Sequence, residues 1–527
     1  MFRFCKRYIQ KFKIKLILYL LLSLITTAIT IVQPVLWGKT IDIMVMSSNK
    51  KLLLITGIIA LLLGFFSIII GYLNNKLYII IQTKSAMDIS ADVIHHLHHV
   101  SLTNLQKFDA GYLNESINHD SNSITMFFLS ILTGILTNVL LLIIPLYIIF
   151  RLAPNIVVLL LIMIIGYIVL YLIFRKKLTE KATIFKDAQS EFFSDLFEQL
   201  KNVKFVKQHA LENFYKNRLK NAFYTFFKNA FSAQQFYFLY SSMDQVLEIL
   251  INFCIYVFGG ICVINGELTI GSFTIMLNYY RYILTSVKYF SNLGKEYQDN
   301  NVSYNRLQSY LELKKQSNGT KVIKHISQIQ CNNLGFARNG NKILHSFSYT
   351  FNKGNIYCIL GENGAGKTTL IDILIGLFID EYEGEILYNH INIKDIDMVK
   401  QRACNISILE QDPYVLEGSV EDNIYLTEYH NVKKYRQRIL DKELGNIYSN
   451  GIGISGGEKQ KIGILRMLSK DSDVMILDEP TSALDQESRY AVWRLLKEIK
   501  KEKIIIVISH DQNISQFADQ IINLDKK

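Results

Sequence analysis

Long apolar runs dominate the first 174 residues of the chain. Four of them, at residues 16–38, 52–75, 127–150 and 155–174, contain no charged residue. A helix needs about 20 apolar residues to cross the hydrocarbon core of a bilayer, so each run predicts one membrane span. Residues 151–154 separate the last two runs and include a proline, which predicts a tight turn between antiparallel helices.

Two further spans are predicted at residues 249–266 and 271–293. The second of these is the weaker, because Arg281 and Lys288 interrupt it. Together the six runs predict an all-α, six-helix transmembrane domain at residues 1–313.

Ionisable side chains are costly inside a membrane. Those in the last two spans are therefore expected to face the interior of the helix bundle or an aqueous cavity. At a helical rise of ~1.5 Å per residue, Glu248 and Lys288 lie at similar depths, and we expect an ion pair near the inner boundary. Arg281 lies about two turns shallower, near mid-membrane. Tyr279, Tyr280 and Arg281 are therefore candidate substrate-lining residues. A structural salt bridge, or a side chain that extends to the interface, explains Arg281 equally well.

Positive charge is concentrated before the first span. The chain has a net charge of +11, and six basic residues but no acidic ones lie within its first 15 positions. This distribution fits a cytoplasmic flank under the positive-inside rule better than a nucleic-acid-binding arm. We expect a multi-pass protein of the plasma (inner) membrane that contacts membrane lipid, has a cytoplasmic N-terminus and binds no nucleic acid.

After a polar linker at residues 314–324, the pattern changes to that of an α/β domain. Short alternating strands flank Asn339 and Gly340, a dipeptide typical of hairpin turns. Strand and helix patterns then alternate to the end of the chain. We predict an α/β P-loop ATPase domain at residues 325–527, so the fold class is a multidomain membrane protein.

Residues 361–368 match the phosphate-binding pattern G-x-x-x-x-G-K-[ST] at every fixed position. The apolar run at residues 356–360 is typical of a buried strand, and residues 369–375 are typical of a helix. Such a loop directs backbone N–H groups to a polyphosphate at a helix N-terminus, with Lys367 reaching the outer phosphates and Thr368 a magnesium ion. A glycine-rich turn without function is the alternative, and the flanking strand and helix argue against it.

Two other stretches carry candidate chemistry. Residues 473–479 are typical of a buried strand that ends in two carboxylates. Asp478 can hold magnesium through water, and Glu479 can orient or deprotonate an attacking water. Ser455 and Glu458 have the S-x-x-E spacing of a capping box. The two glycines behind that cap expose N–H groups at a helix N-terminus, which is a second anion site.

In this order, the motifs resemble those of the nucleotide-binding domain of ABC transporters. Ser455, Gly456 and Gly457 are similar to the family's signature motif, with Ile454 in place of the usual leucine and Glu458 in place of the usual glutamine. The remaining matches are, in chain order, Gln411 with the Q-loop glutamine, residues 482–485 with the D-loop, and His510 with the switch histidine.

The resemblance implies ATP and Mg²⁺ as cofactors and gives roles to individual residues. It implies catalytic roles for Glu479, His510 and Gln411, and magnesium coordination by Thr368, Gln411 and Asp478. The nucleotide contacts that it implies are Gly361, Glu362, Asn363, Gly364, Ala365, Gly366, Lys367, Thr368, Thr369, Arg338, Ser455, Gly456, Gly457 and Asp485.

The membrane half resembles the exporters of this family less specifically, at residues 34–42 and 266–271. Six spans fused to one such ATPase domain imply a half-transporter that works as a homodimer or a heterodimer. In that family the signature of one subunit closes over the ATP bound by the other. The polar segments near residues 104–116 and 198–212 are the expected coupling elements.

Three features depart from the family pattern. Arg338, two positions after Phe336, stands where an aromatic residue usually stacks on adenine, so stacking comes from Arg338, from Phe336, or is weak. Residues 449–451 lack the acidic side chain that exporters often carry before the signature. The segment 411–455 is short for the family, which indicates a trimmed helical subdomain. Because the catalytic motifs are intact, we expect hydrolysis to be retained.

The expected function is ATP-driven export of a peptide, a drug-like amphiphile or a lipid, with hydrolysis driving alternating access. The alternative is a membrane-anchored P-loop ATPase that senses or regulates and transports nothing. The second phosphate-contacting motif argues against that alternative. An importer permease is disfavoured by the fused order of the domains and by the short outer loops.

Overall fold

A computed structural model describes residues 1–47, 49–108, 110–338, 340–362, 364–426, 435, 436, 439, 454–509 and 516–524. Two predicted site residues, Asn363 and His510, lie outside the described residues, as does most of the predicted trimmed subdomain. The chain divides into two compact units. The first comprises Met1–Ile94 and Gly111–Leu311, and the second comprises His95–Ala110 and Glu312–Lys527.

Long helices make up the first unit. In chain order to residue 311 the described α-helices are α1 (Phe2–Ile9), α2 (Lys13–Asp42), α3 (Lys50–Leu97), α4 (Leu102–Leu105), α5 (Ala110–Leu152), α6 (Pro154–Lys201), α7 (Val203–Gln208), α8 (Glu212–Ile264) and α9 (Ile270–Leu311), of which α4 belongs to the second unit. The predicted tight turn is confirmed, because only Ala153 separates α5 from α6.

Five helical segments in the described part of the chain are long and apolar enough to cross a membrane. Helix α9 is absent from this set, yet it forms one continuous helix over the predicted sixth span. Its buried side chains include Ile275, Tyr279 and Ile283, which pack in one hydrophobic cluster with residues of α5, α6 and α8. The sixth helix is therefore held in the bundle by one apolar face.

The two stretches that resembled the exporters' membrane half contact each other. The Asp42 carboxylate at the end of α2 accepts hydrogen bonds from the Gly271 backbone N–H (2.7 Å) and the Thr269 hydroxyl (2.8 Å). A Cβ atom on Gly271 would lie only 2.0 Å from the carbonyl oxygen of Gly38. Glycine at this position therefore permits the close approach of α2 and α9.

The predicted ion pair between α8 and α9 is confirmed. The Lys288 Nζ atom lies 3.2 Å from a Glu248 carboxylate oxygen. It lies closer, at 2.8 Å, to Asp244, one helical turn earlier on α8. Spacing along the sequence predicted the pair but missed the second carboxylate, because only the helix packing shows which residue of α8 faces Lys288.

The second unit contains two sheets. Its strands are β1 (Gln328–Arg338), β2 (Asn341–Asn352), β3 (Ile356–Leu360), β4 (Glu383–Tyr388), β5 (Ile391–Asn392), β6 (Ile406–Leu409), β7 (Val474–Asp478), β8 (Ile504–Ile508) and β9 (Gln520–Asn523). One sheet is antiparallel, in the order β2-β1-β4-β5, and the other is parallel, in the order β6-β7-β8-β3-β9. Its described helices of at least five residues beyond residue 311 are α10 (Lys367–Leu374), α11 (Met398–Cys404), α12 (Val420–Ile424), α13 (Gly456–Ser469) and α14 (Gln486–Ile499).

Strands β6, β7, β8 and β3 of the parallel sheet are largely buried on both faces, as strands of such sheets usually are, whereas the edge strand β9 is mostly exposed. Side chains alternate between faces along a strand, so Tyr357 and Ile359 of β3 join one hydrophobic cluster while Ile356 and Cys358 join the other. Strand β3 lies between β8 and β9. The loop that follows β3 is therefore anchored to the interior of the domain. The predicted hairpin is also confirmed, because Arg338 pairs with Asn341.

Residues 95–110 belong to the second unit, although the sequence analysis had assigned them to the membrane domain. Val100 pairs with Lys315 in an isolated β-bridge. The Thr103 hydroxyl donates to the Glu381 carboxylate at 2.6 Å, and Leu102 packs on the hydrophobic core. This segment begins before the predicted coupling element at residues 104–116 and overlaps its first part.

Candidate nucleotide-binding site

The loop between β3 and α10 has the form that a phosphate site requires. Strand β3 ends at Leu360 and α10 begins at Lys367, which confirms the predicted strand, loop and helix. Gly364 and Gly366 have φ angles of +89° and +88°, a region that favours glycine. A Cβ atom on Gly366 would also lie 2.8 Å from the Ile343 side chain. The two glycines therefore determine the path of the loop.

Lys367, the first residue of α10, is only 7% exposed, and its side chain extends back to the start of this loop. Its ammonium group donates to the carbonyl oxygens of Gly361 (2.6 Å) and Glu362 (2.8 Å). The loop thus curves around a buried positive charge at the N-terminus of a helix, where the helix dipole adds to the attraction for an anion.

Two of the three predicted magnesium ligands, Thr368 and Asp478, are in contact at the carboxyl edge of the parallel sheet. The Thr368 hydroxyl, in the first turn of α10, donates to the Asp478 carboxylate at 3.3 Å. Asp478 is the last residue of β7, which is separated from β3 by β8 alone. A hydroxyl and a carboxylate are both oxygen ligands of the kind that Mg²⁺ prefers.

Glu479 directly follows that strand and has an unusual backbone. Its φ angle is +47°, which is uncommon for a residue other than glycine, and its N–H donates to the Ile508 carbonyl at 3.0 Å. The Gln411 amide donates to the Glu479 carboxylate at 3.1 Å. Two residues with implied catalytic roles are thus in contact. Strained backbone of this kind recurs at functional sites, where surrounding structure holds it in place.

Gln460 is a polar residue of this region that the sequence analysis missed. It is 1% exposed, and its amide N–H donates to the Glu479 carbonyl oxygen at 2.7 Å. Its amide oxygen accepts from the Ala483 N–H at 3.0 Å. Gln460 therefore links α13 to the backbone of Glu479 and to the predicted D-loop. The sequence feature that could have indicated this role is a glutamine among the apolar positions of that helix.

The signature-like segment begins α13 with the predicted capping box. The Glu458 N–H donates to the Ser455 hydroxyl at 3.3 Å, and the Ser455 N–H donates to the Glu458 carboxylate at 2.6 Å. Ser455 and Gly456 are exposed. A Cβ atom on Gly457 would lie 2.9 Å from the Ala483 carbonyl oxygen. The first turn of α13 is thus accessible at its start and tightly packed behind it.

Asp485, an implied nucleotide contact, caps helix α14. Its carboxylate accepts hydrogen bonds from the Ser488 N–H and from the Ser488 hydroxyl, each at 2.8 Å. These bonds stabilise the ionised form and lower the pKa of Asp485 from its usual value. The carboxylate therefore has a structural partner within its own chain.

The two candidates for adenine stacking lie in different surroundings. Phe336 is 4% exposed and packs against Phe378 in the hydrophobic core, with ring centroids 5.1 Å apart. Its ring is therefore not available to a nucleotide. Arg338 is exposed at the end of β1, and its guanidinium donates to the Gln106 side chain. Of the two, only Arg338 presents an accessible side chain.

Asp372 of α10 is a second feature that sequence reasoning missed. Burial raises the pKa of Asp372 to about 6, and the nearby Asp478 and Glu410 carboxylates act in the same direction. The Arg338 guanidinium acts in the opposite direction, so Asp372 lies within electrostatic reach of both acidic and basic groups of the candidate site.

The Asp372→Asn variant is expected to be more stable than the unmodified protein at neutral pH, without nucleotide or magnesium. Because the folded-state pKa lies above the usual value of 3.8, the folded chain holds the proton longer than the unfolded chain. The contribution of the Asp372 carboxyl group to stability is then fully present below about pH 4 and is lost as pH rises through about 6. We expect the thermal midpoints to coincide at the acidic end and to differ by about 3 °C at pH 7.

The measurement is the thermal unfolding midpoint of both proteins across this pH range in detergent. Glu502→Gln, which removes an exposed carboxyl group, serves as the matched control and should show no such gap. Equal midpoints for Asp372→Asn and the unmodified protein at every pH would show that the carboxyl group titrates normally.

The predicted substrate-lining residues occupy two different environments. Tyr279 and Tyr280 are 0% and 1% exposed and belong to the hydrophobic cluster of the first unit. The Tyr279 hydroxyl donates to the Ile31 carbonyl oxygen at 2.7 Å. Arg281 has an exposed side chain. Of the three, only Arg281 faces away from the packed interior of its own chain.

Comparison with known proteins gives the family. Residues 16–287, more than half of the chain, match the family model described as the ABC transporter transmembrane region. The chain belongs to the ABC transporter family. Residues 344–482 match a second model, described as ABC transporter, which covers the loop at 361–368 and both carboxylates of residues 478 and 479. This ABC transporter is therefore a multi-pass membrane protein that binds and hydrolyses ATP.

Relatives of this ABC transporter include several named transport proteins. The chain is 24% identical over 526 residues to the transport/processing ATP-binding protein ComA of Streptococcus pneumoniae, covering 96% of this chain and 72% of ComA. It is 32% identical over 291 residues to the subtilin transport ATP-binding protein SpaT of Bacillus subtilis, covering 51% and 46%. It is 29% identical over 285 residues to the ATP-dependent lipid A-core flippase of Haemophilus ducreyi, covering 50% and 48%.

The fold also has a close structural counterpart. A bacterial Atm1-family ABC exporter with ATP bound superimposes with a TM-score of 0.81 at 19% identity, covering 97% of this chain and 93% of that one. The fold of this ABC transporter is thus that of an exporter. One membrane region fused to one ATPase domain is a half-transporter, and this architecture implies a dimer.

Proposed function

We propose that this ABC transporter is one subunit of a dimeric exporter of peptides in the plasma membrane, with its N-terminus and ATPase domain in the cytoplasm. The observation that carries the ATPase part is the pair of contacts beside the phosphate loop. Thr368 lies 3.3 Å from Asp478, and Gln411 lies 3.1 Å from Glu479. These contacts bring the four side chains with proposed roles in metal binding and hydrolysis into two adjacent pairs.

The residues present fit a magnesium ion. Thr368 and Asp478 supply oxygen ligands, and Gln411 retains its amide oxygen because its NH₂ group is the part bonded to Glu479. Bound magnesium would neutralise charge on the outer phosphates. Lys367 and the N–H groups of residues 361–368 hold the phosphates, with Glu362, Ala365 and Thr369 among the contacts. Glu479 orients the attacking water, and His510 keeps the catalytic role that the family resemblance implies.

A second subunit completes the site in this proposal. The exposed start of α13 at Ser455 and Gly456 offers backbone N–H groups at a helix N-terminus, beyond what its own capping box uses. Such a surface suits the phosphates of a nucleotide that another chain holds. The partner is a second half-transporter, either another copy of this chain or a related one.

The proposal of a peptide cargo is supported by the relatives that the chain matches most widely. Their names combine transport with processing, which we take to indicate a cargo that is itself a peptide. The match to ComA covers 96% of this chain and the match to the lactococcin-G-processing and transport protein LagD of Lactococcus lactis covers 68%. The match to the lipid A-core flippase of Haemophilus ducreyi covers 50%. A drug-like amphiphile or a lipid is the alternative cargo.

Purified protein reconstituted in phospholipid vesicles provides the test. Pools of short synthetic peptides, separately acidic, neutral and basic, are added to vesicles whose ATPase domains face outward. We expect at least one pool to raise ATP turnover and to accumulate inside the vesicles only when ATP is present. Turnover that no pool changes, with no accumulation, would instead favour an ATPase that transports no peptide.

A further inference from the structure

The exposed face of helix α9 carries a polar stripe through the predicted membrane span. Its members are spaced by three or four residues, which places them on one side of a helix. They are Asn278, Arg281, Thr285, Lys288 and Asn292. Arg281, Thr285 and Asn292 are exposed, and Asn278 and Lys288 are half-buried. The opposite face, with Tyr279, Ile283 and Val287, lies in the hydrophobic cluster.

The two cations of this stripe differ in their partners. Lys288 is neutralised within its own chain by Asp244 at 2.8 Å and Glu248 at 3.2 Å. Within the described part of the chain, Arg281 makes neither a side-chain hydrogen bond nor an ion pair. An unpaired guanidinium inside a membrane is costly, so such a group faces water or a polar partner. Arg281 is therefore the cation of the stripe whose side chain can bind an anion from outside its own chain.

A second copy of this chain does not supply that anion. The six predicted spans contain no Asp or Glu. The acidic residues nearest in depth, Asp244 and Glu248, are already bound to Lys288. The Asp42 carboxylate is bound to Gly271 and Thr269 near the outer end of α9. In a homodimer the counter-charge of Arg281 must come from outside the protein.

The depth of Arg281 in the membrane favours a transported anion over a lipid headgroup as its ligand. Arg281 lies 11 residues after the start of α9 at Ile270, or about 16 Å along the helix at ~1.5 Å per residue. The hydrocarbon core is about 30 Å thick, so this position is near its middle. Lipid phosphates remain at the two surfaces, about 15 Å away. A group that crosses the membrane, in contrast, passes this depth.

We propose that Arg281 binds a carboxylate of the transported peptide, and that the polar face of α9 is the surface along which this group moves. The inference rests on the proposed export of peptides and adds a charge preference to it. The guanidinium suits this task because its planar fork of N–H donors matches a carboxylate bidentately. Asn278 and Thr285, one turn to either side, offer polar side chains on the same face.

The test uses reconstituted vesicles and two matched sets of peptides that differ only in having a C-terminal carboxylate or a C-terminal amide. In the unmodified protein, we expect the carboxylate set to half-saturate ATPase stimulation at about tenfold lower concentration. Arg281→Gln should abolish this preference, and Arg281→Lys should retain most of it. Arg151→Gln, which removes an exposed cation at the outer end of α5, should behave as the unmodified protein.

Other outcomes separate the inference from the proposed function. Stimulation without a charge preference, or a preference that persists in Arg281→Gln, would overturn the role of Arg281 but leave peptide export standing. Failure of every peptide to stimulate the unmodified protein would overturn both. Loss of the dimer in Arg281→Gln, seen by light scattering in detergent, would indicate that the residue is a subunit contact and would overturn the inference. A dependence on phosphatidylglycerol in the vesicles, and not on the peptide terminus, would make its ligand a lipid and likewise overturn the inference.

Discussion

The Glu479→Gln protein is expected to bind ATP with nearly unchanged affinity and to lose at least about a hundredfold in ATP turnover. General-base and water-positioning groups contribute about 10²–10⁴ to a rate. The glutamine keeps the size of the side chain and one carbonyl oxygen but accepts no proton. The change therefore removes the chemistry that we assign to this position and spares the surrounding packing.

The structure explains why the substitution should not disturb the fold. The unusual backbone of Glu479, with φ at +47°, is held by its own N–H bonded to the Ile508 carbonyl oxygen and by its carbonyl oxygen bonded to Gln460. Both contacts use main-chain atoms and persist in the variant. The change alters the contact between the Gln411 amide and the Glu479 side chain, which lies at the site itself and not in the packing of the domain.

The measurement combines nucleotide binding with the steady-state release of phosphate, both on protein in vesicles. Glu502→Gln, an exposed position of the same residue type, is the matched control and should retain full turnover. Turnover of Glu479→Gln within a factor of two of the control would remove Glu479 from the proposed mechanism. Loss of ATP binding in that variant would show that the side chain acts earlier than hydrolysis.

Local patterns predicted the parts of the site that depend on a few consecutive residues. The phosphate loop, the carboxylates after β7 and the capping box at Ser455 each follow from a short motif, and the structure contains all three elements. The membrane spans were equally accessible to this reasoning, because bilayer thickness sets the length of an apolar run. These motifs and spans depend on consecutive residues, so the sequence was sufficient to predict them.

Features that depend on packing between distant residues were not predictable. Gln460 contacts Glu479, 19 residues away, and Asp244 contacts Lys288, 44 residues away. The raised pKa of Asp372 arises from burial and from carboxylates on other elements. The inclusion of residues 95–110 in the second unit likewise depends on contacts with residues 315 and 381. No periodicity within a single segment carries this information.

A second large loss of ATP turnover is expected if each nucleotide site is formed by the phosphate loop of one chain and the start of α13 of the other. Lys367→Ala removes the buried ammonium from the phosphate loop, and Ser455→Arg places a large cation at the exposed start of α13. We expect a dimer that carries either change in both subunits to have no measurable turnover. Ser455 is exposed, so the added side chain extends into solvent in the free subunit. Its capping bond is worth about 1 kcal/mol, and its loss should be tolerated.

The most direct test of the account places these two changes in mixed dimers, purified through two different tags. In one dimer a single subunit carries both Lys367→Ala and Ser455→Arg, and its partner is unmodified. In the other, each subunit carries one of the two changes. If the signature of one chain completes the site of the other, the first dimer has no intact site and the second has one. We therefore predict ATP turnover only in the second dimer. Turnover in the first dimer and none in the second would show that each chain completes its own site, and would contradict the account.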